Sequence, residues 1–253
     1  MVLSSVKKAF EILEVFKMDH SELGVTEISS RTSLDKSVVS RILVTLAAAG
    51  YLERNESNKR YRLSWKLVDL GNVVTSRYSD IRTLAEPFLE ELARQTDEIV
   101  HLGVLDKNEV VHVDKKGREQ ALTVGTRVGE RTPAHGSSLG KVLLSELPDK
   151  DLLTLMGRRD LVRLTKKTIT EIPSLQEELR KVKKQGFAFD DEECHEGIQC
   201  VGAPIKNGRG NIVAAISTSI PKLRMSRERI REIRRLVIET ARLISERIAL
   251  NTS

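Results

Sequence analysis

Three clusters in this chain could do chemistry. The densest is Asp190-Asp191-Glu192-Glu193, followed at once by Cys194 and His195. Carboxylates, thiolates and imidazoles all ligate metals. His101 and His112, expected on neighbouring strands, could supplement them. One reading is therefore a metal-dependent enzyme with its centre near Asp190–His195. Side chains of an extended segment alternate in direction, however, so four consecutive acids cannot all converge on one ion. A solvated loop is the plainer reading. The second cluster is RTPAHGSSLGKVLL, residues 131–144, where small residues precede a helix. Free backbone N–H groups at a helix start suit a carboxylate or phosphate. The run is not a P-loop, because Gly136 and Gly140-Lys141 lack the preceding glycine and Val142 replaces the Ser/Thr. A simple tight turn accounts for it equally well. Third, Ser217 and Ser219 project to one face of an apolar strand, Ala214 to Ile220. They could line a polar pocket or mark a weak sheet edge.

A different chemistry belongs to DKSVVSRILVTLAAAG, residues 35–50. As a helix it turns Val39, Leu43 and Leu46 to a core, with Val38 and Ile42 beside them. Lys36, Ser37, Ser40 and Arg41 are left on the other face near its start. A recognition helix needs this arrangement: its N-terminal half enters the major groove, where Arg reads guanine and Ser bonds bases or phosphates. Arg54, Lys59, Arg60 and Arg62 on a following hairpin could contact phosphates. An ordinary three-helix packing unit is the competing explanation, and the hairpin favours DNA.

The elements that must position these groups follow from periodicity. A first helix, capped by Ser4 or Ser5, runs to about Lys17 with Val6, Phe10, Leu13 and Phe16 on one face. A short helix spans Thr26 to Thr32, and the recognition helix follows a tight Ser33-Leu34-Asp35 connection. Tyr51–Arg54 and Lys59–Leu63 read as a hairpin. Helix, short helix, longer helix and hairpin is the order of a winged helix-turn-helix. Residues 64–80 read as a helical linker, and a helix from Asp80 to Gln95 places Leu84, Phe88 and Leu92 at four-residue steps. Beyond 98 the pattern mixes strands and helices. Strands are expected at Ile99–Leu105, Glu109–Val113, Ala121–Val124, Phe187–Phe189, Cys200–Ile205 and Ile212–Ser219. Helices are expected at Ser137–Leu147, Glu171–Gln185 and Ser226–Leu250.

Composition narrows the function classes. The chain has 253 residues, which suits a small domain plus a medium one. No uncharged run approaches the roughly 18 to 20 residues of a membrane helix. Charges among the first apolar residues argue against a secretory signal, so a cytoplasmic protein without membrane association is expected. Cys194 and Cys200 are too few for a disulfide scaffold or zinc finger. Net charge is +6, compatible with nucleic acid. The excess does not locate a DNA site, since much of it lies in 222–247 near the C-terminus, where a solvated helix face explains it.

At three places the chain resembles the IclR family of regulators: DKSVVSRILVTLAAAGYL with the wing KRYRLSWKLVDLG; TPAHGSSLGKVLLSELP; and GFAFDDEECHEGIQCVGAPI continuing to GNIVAAISTSIPKLR. The resemblance covers nearly the whole chain, in family order and spacing. It implies a GAF-like effector domain, a homodimer or homotetramer, and small, usually anionic, effectors. By motif position, the effector-binding residues it implies are Ser138, Leu139, Asp190, Cys200, Ser217 and Ser219. Two features depart from the family pattern. Ser138 and Leu139 stand where smaller residues are common, and Ser219-Ile220-Pro221 lacks the glycine often found before that proline.

The expectation is thus an α+β chain. Residues 1–63 form a winged helix-turn-helix, 64–80 a helical linker, and 81–253 a GAF-like effector-binding and oligomerisation domain with an antiparallel sheet flanked by helices. Its expected partners are double-stranded operator DNA and a small-molecule effector, with carboxylates the favoured class. No catalytic residue, metal or cofactor is expected.

Overall fold

The structure, a computed structural model, describes residues 2–18, 22–118, 126–157 and 161–251. The strand expected at Ala121–Val124 lies outside the described residues. The chain divides into two compact units, Met1–Arg77 and Tyr78–Ser253.

The first unit is built on α1 (Ser4–Val15), α2 (Val25–Thr32) and α3 (Lys36–Ala48), followed by β1 (Leu52–Arg54), β2 (Tyr61–Leu63) and α4 (Lys66–Ser76). Its core gathers Ile12, Phe16, Leu23, Ile28, Val39, Leu43, Leu46, Leu52 and Tyr61. The α1 face differs from expectation. Ile12 and Phe16, one turn apart, are buried, whereas Val6 and Phe10 are 47% and 64% exposed. The helix is rotated so that Val6 and Phe10 border an open groove against α3. Leu3, not a serine, precedes its first turn. Ser33 takes a left-handed conformation, φ 57°, which makes the sharp turn between α2 and α3. The wing pairs β1 and β2 antiparallel, with Glu53 opposite Arg62 and Arg54 opposite Tyr61. Helix α4 has no buried residue.

The second unit opens with α5 (Ser79–Thr96) and closes with α9 (Arg227–Asn251). Between them lie β3 (Ile99–Asp106), β4 (Glu109–Lys116), β5 (Arg131–Pro133), α6 (Ser138–Leu144), α7 (Asp149–Met156), α8 (Ile172–Gln185), β6 (Ala188–Asp191), β7 (Ile198–Lys206) and β8 (Ile212–Pro221). The six strands form one sheet in the order β5-β4-β3-β8-β7-β6, and their pairings are antiparallel. The fold is therefore α+β, as expected. One sheet face packs Val100, Leu102, Val201, Ala203 and Ile216 against α5 and α9. The other meets α6 and α8 through Val110, Ala188, Ala215, Leu139 and Leu175. The stripe on α5 is displaced from the expected one: Ala85, Leu89 and Leu92 are buried, while Leu84 and Phe88 are partly buried. On α9, Ile233, Val237, Ala241, Ile244 and Ile248 are buried at helical spacing.

Two glycines let α6 lie close to its neighbours. A Cβ on Gly140 would fall 2.0 Å from the Ala134 carbonyl oxygen, and one on Gly202 would fall 3.0 Å from the Ser138 backbone. Close approach of backbone to backbone is the use to which glycine is put here. It brings Ser138 and Leu139 down onto the sheet. Among the described residues no helix is long and apolar enough to cross a membrane.

Candidate DNA-reading face and effector pocket

On α3, Lys36, Ser37 and Arg41 are exposed and Ser40 is half-buried. Burial of Val39, Leu43 and Leu46 fixes which side faces out. Neither Lys36 nor Arg41 forms an ion pair with a described residue, so their charges are available for a polyanion.

The wing cations are placed differently from one another. Lys59 pairs with Glu56 at 2.7 Å and Arg62 with Glu53 at 2.7 Å, all well exposed. Such surface pairs hold weakly and can yield to phosphate. The Arg54 guanidinium lies 5.8 Å from the Tyr61 ring centre. Arg60 turns inward: Nε donates to the Glu22 carbonyl at 2.8 Å, and Nη2 donates to both Glu27 oxygens at 2.8 and 2.6 Å. Glu27 also accepts the Gly24 N–H at 2.8 Å. Arg60 therefore ties the wing to the start of α2.

In the second unit, a small cavity of about 40 Å³ is lined by Ser138, Leu139, Asp190, Cys200, Ser217 and Ser219 together. Cross-strand register explains the convergence. Asp190 stands opposite Cys200, and Cys200 opposite Ser219. Ser217 is flanked by Gly202 and His101. Directly opposed residues of antiparallel strands share a face, so these rows look toward α6. Cys200 Sγ lies 3.2 Å from Ser219 Oγ.

The four consecutive acids part company. Asp190 points inward and is 1% exposed. Its Oδ1 accepts the N–H groups of Glu193 at 2.7 Å and Cys194 at 3.4 Å. Burial raises its pKa to about 7 against these hydrogen bonds and the nearby Lys141 charge. Asp191 and Glu192 turn out to Lys167 at 2.8 and 2.7 Å, and Glu192 also reaches Lys222. Glu193 pairs with Lys141. Among the described residues no group of three or more His, Cys, Asp or Glu is arranged to hold a metal ion. Burial pushes the Cys194 thiol up to about 12 and holds Cys200 well above its ordinary value. Both sulfurs are thus protonated and weakly nucleophilic.

The helix starts where expected, capped by Ser137 whose Oγ accepts the Gly140 N–H at 3.1 Å, but it ends at Leu144, short of the expected Leu147. Sequence reasoning missed Thr126, Thr132 and Ser137 as lining residues, and weighed Cys194, His195, His101 and His112 only as metal ligands or structural residues. The polar character of 217 and 219 on an apolar strand was the available signal; the others depend on register and loop path.

Comparison with known proteins agrees with this architecture. Residues 5–56 match the IclR helix-turn-helix domain, and residues 73–246 match the model described as bacterial transcriptional regulator IclR C-terminal. The chain is 36% identical over 218 residues to the HTH-type transcriptional regulator XynR of Escherichia coli (strain K12), covering 86% of each. It is 35% identical over 243 residues to KdgR of the same organism, covering 96% of this chain and 92% of that one. The crystal structure of the Thermotoga maritima IclR superposes with a TM-score of 0.78 at 33% identity, covering 97% of this chain and 98% of that chain. The chain belongs to the IclR family of DNA-binding transcriptional regulators.

Proposed function

We propose that this regulator is controlled by a small carboxylate bound in the second unit's cavity, and that it reads a partly palindromic operator as a homodimer or homotetramer in the cytoplasm. In the first unit, Lys36, Ser37, Ser40 and Arg41 enter the major groove. Arg54, Lys59 and Arg62 engage phosphates, and Arg60 holds the wing in place for them. Exposed Phe10, Trp65, Val73 and Val74 provide apolar surface for a second copy. Effector binding shifts the populations of DNA-competent arrangements through α4, so effector and DNA affinities are coupled reciprocally.

The observation that carries this reading is convergence. Four elements, α6, β6, β7 and β8, deliver Ser138, Leu139, Asp190, Cys200, Ser217 and Ser219 to one cavity. Among the described residues no Lys or Arg lines it. An anion would be held by hydroxyls and by a protonated Asp190, which is the state burial favours near neutral pH.

Calorimetric titration with small carboxylic acids of three to six carbons tests it. Replacing Ser217 and Ser219 with Ala should weaken the tightest acid by roughly tenfold or more, each lost hydrogen bond costing about 1 kcal/mol. DNA binding should persist. Unchanged acid affinity would overturn the placement.

A further inference from the structure

The cavity holds a feature that the effector reading does not use. His101 on β3 and His112 on β4 both line it. They are 2% and 6% exposed. Their rings meet edge to face with centres 5.1 Å apart. His112 Nε2 lies 3.1 Å from Thr132 Oγ1, yet Nδ1 of each ring is buried without a hydrogen-bond partner among the described residues. Buried polar atoms are normally satisfied, and an exception calls for an explanation.

Backbone geometry creates the pair. The β3–β4 register shifts between Leu102 and Gly103, which sets His112 opposite Gly103 while His101 faces Ser217. Gly103 and His101 share a face by alternation, so both imidazoles look toward the cavity. Bulges of this kind re-aim side chains next to functional sites.

We propose that His101 and His112 are the specificity-determining pair of the cavity, and that they orient an alcohol hydroxyl on the bound acid, so that the effector is a hydroxy acid. This rests on the effector reading above. A neutral imidazole offers one N–H and one lone pair. A hydroxyl both donates and accepts, so one hydroxyl satisfies both Nδ1 atoms when one ring presents N–H there and the other a lone pair. A carboxylate or ketone oxygen can only accept, and a methylene satisfies neither. The carboxylate end is thereby directed to the Ser217–Ser219–Asp190 side, and the hydroxylated carbon to the histidines.

The test is calorimetric titration of the intact protein with matched acids: propionate, lactate and glycerate, then hexanoate and gluconate. At least one hydroxy acid should bind roughly tenfold or more tightly than its unsubstituted parent, as expected of a site built to bond a hydroxyl. His101→Leu or His112→Leu should compress that preference to below about threefold, and the Asn variants, whose amide still donates and accepts, should restore part of it. Thermal unfolding without ligand identifies any variant that fails to fold; the matched acids on the unaltered protein then decide alone. Equal affinity for hydroxylated and plain acids, or an undiminished preference in folded Leu variants, overturns the proposal and leaves the effector reading standing. Binding of no acid overturns the effector reading, and this one with it.

Discussion

Lys141, wholly buried on α6, places its Nζ 2.6 Å from Oε1 of Glu193. The same Nζ donates to the Phe189 carbonyl. Glu193 in turn donates its N–H to Asp190 at 2.7 Å. Thr165 and Thr168 hold the carbonyls of Glu192 and Glu193, each at 2.7 Å. The floor of the cavity and its acidic side are therefore one connected network, and the buried lysine is its anchor.

Removing that anchor should be costly. Lys141→Met leaves Glu193, 8% exposed, without its cation, and breaking a buried pair on one side costs about 3–5 kcal/mol. Urea unfolding of the second unit should move to lower denaturant by that amount. The double replacement Lys141→Met with Glu193→Gln should recover much of the loss, because the carboxylate left behind, Glu178 at 3.7 Å from Nζ, is the one a quarter exposed to water.

Asp190 makes effector binding pH-dependent. Its pKa in the folded protein, about 7, lies above the ordinary 3.8. Below about pH 7 the carboxyl is protonated and can donate to an anion; above it, the two carboxylates repel. The dissociation constant of a carboxylate effector should rise up to about tenfold per pH unit above 7. Asp190→Asn should flatten this profile and retain binding, measured by titration from pH 6 to 9. Stability follows the same sign: the contribution of the neutral acid is fully present below about pH 4 and is lost as pH rises through about 7.

The histidine pair acts at the acid end. Burial lowers the pKa of His101 to about 3 and of His112 to about 4, from 6.5. Both are neutral when folded but take up protons when unfolded below pH 6.5. Their contribution to stability is fully present above pH 6.5 and falls toward pH 3 to 4, by about 1.4 kcal/mol per pH unit for each histidine. Unfolding midpoints between pH 6.5 and 4.5 should fall less steeply in His101→Asn than in the unaltered protein.

Two arginines of the first unit should behave oppositely. Arg41→Ala, on the exposed side of α3, should weaken operator binding by about 1–3 kcal/mol with little change in stability, if it reads a guanine. Arg60→Ala releases Glu27 and the wing, so it should lower the melting temperature as well as affinity. Electrophoretic mobility shift and thermal melts, run on both variants, separate the two roles.

What the sequence disclosed depended on whether the informative contact was local. Val39, Leu43 and Leu46 could be read from helical spacing alone, and Ser217 and Ser219 from the alternation of one strand. Alternation separates Asp190 from Asp191, but the strand ends there and the left-handed Glu192, φ 62°, sends Glu192 out with Asp191 and turns Glu193 back in. On α1, two apolar stripes overlap, and periodicity alone chose the one containing Val6 and Phe10 over Ile12. Helix α7 was not read, because Pro148 looked like an end when it is the start of the next helix. Lys141 reads as a solvated helical lysine until Glu193, 52 residues further on, is brought to it. The adjacency of His101 and His112 needed a register shift that neither strand announces.

The measurement that bears most directly on the account is binding of the purified protein to its own upstream intergenic DNA, against scrambled DNA of equal length, at about 150 mM salt. The account predicts a preference of roughly 10³-fold or more for the upstream DNA, altered when the tightest-binding small acid is added. Equal affinity for both DNAs, unmoved by any acid, would contradict it.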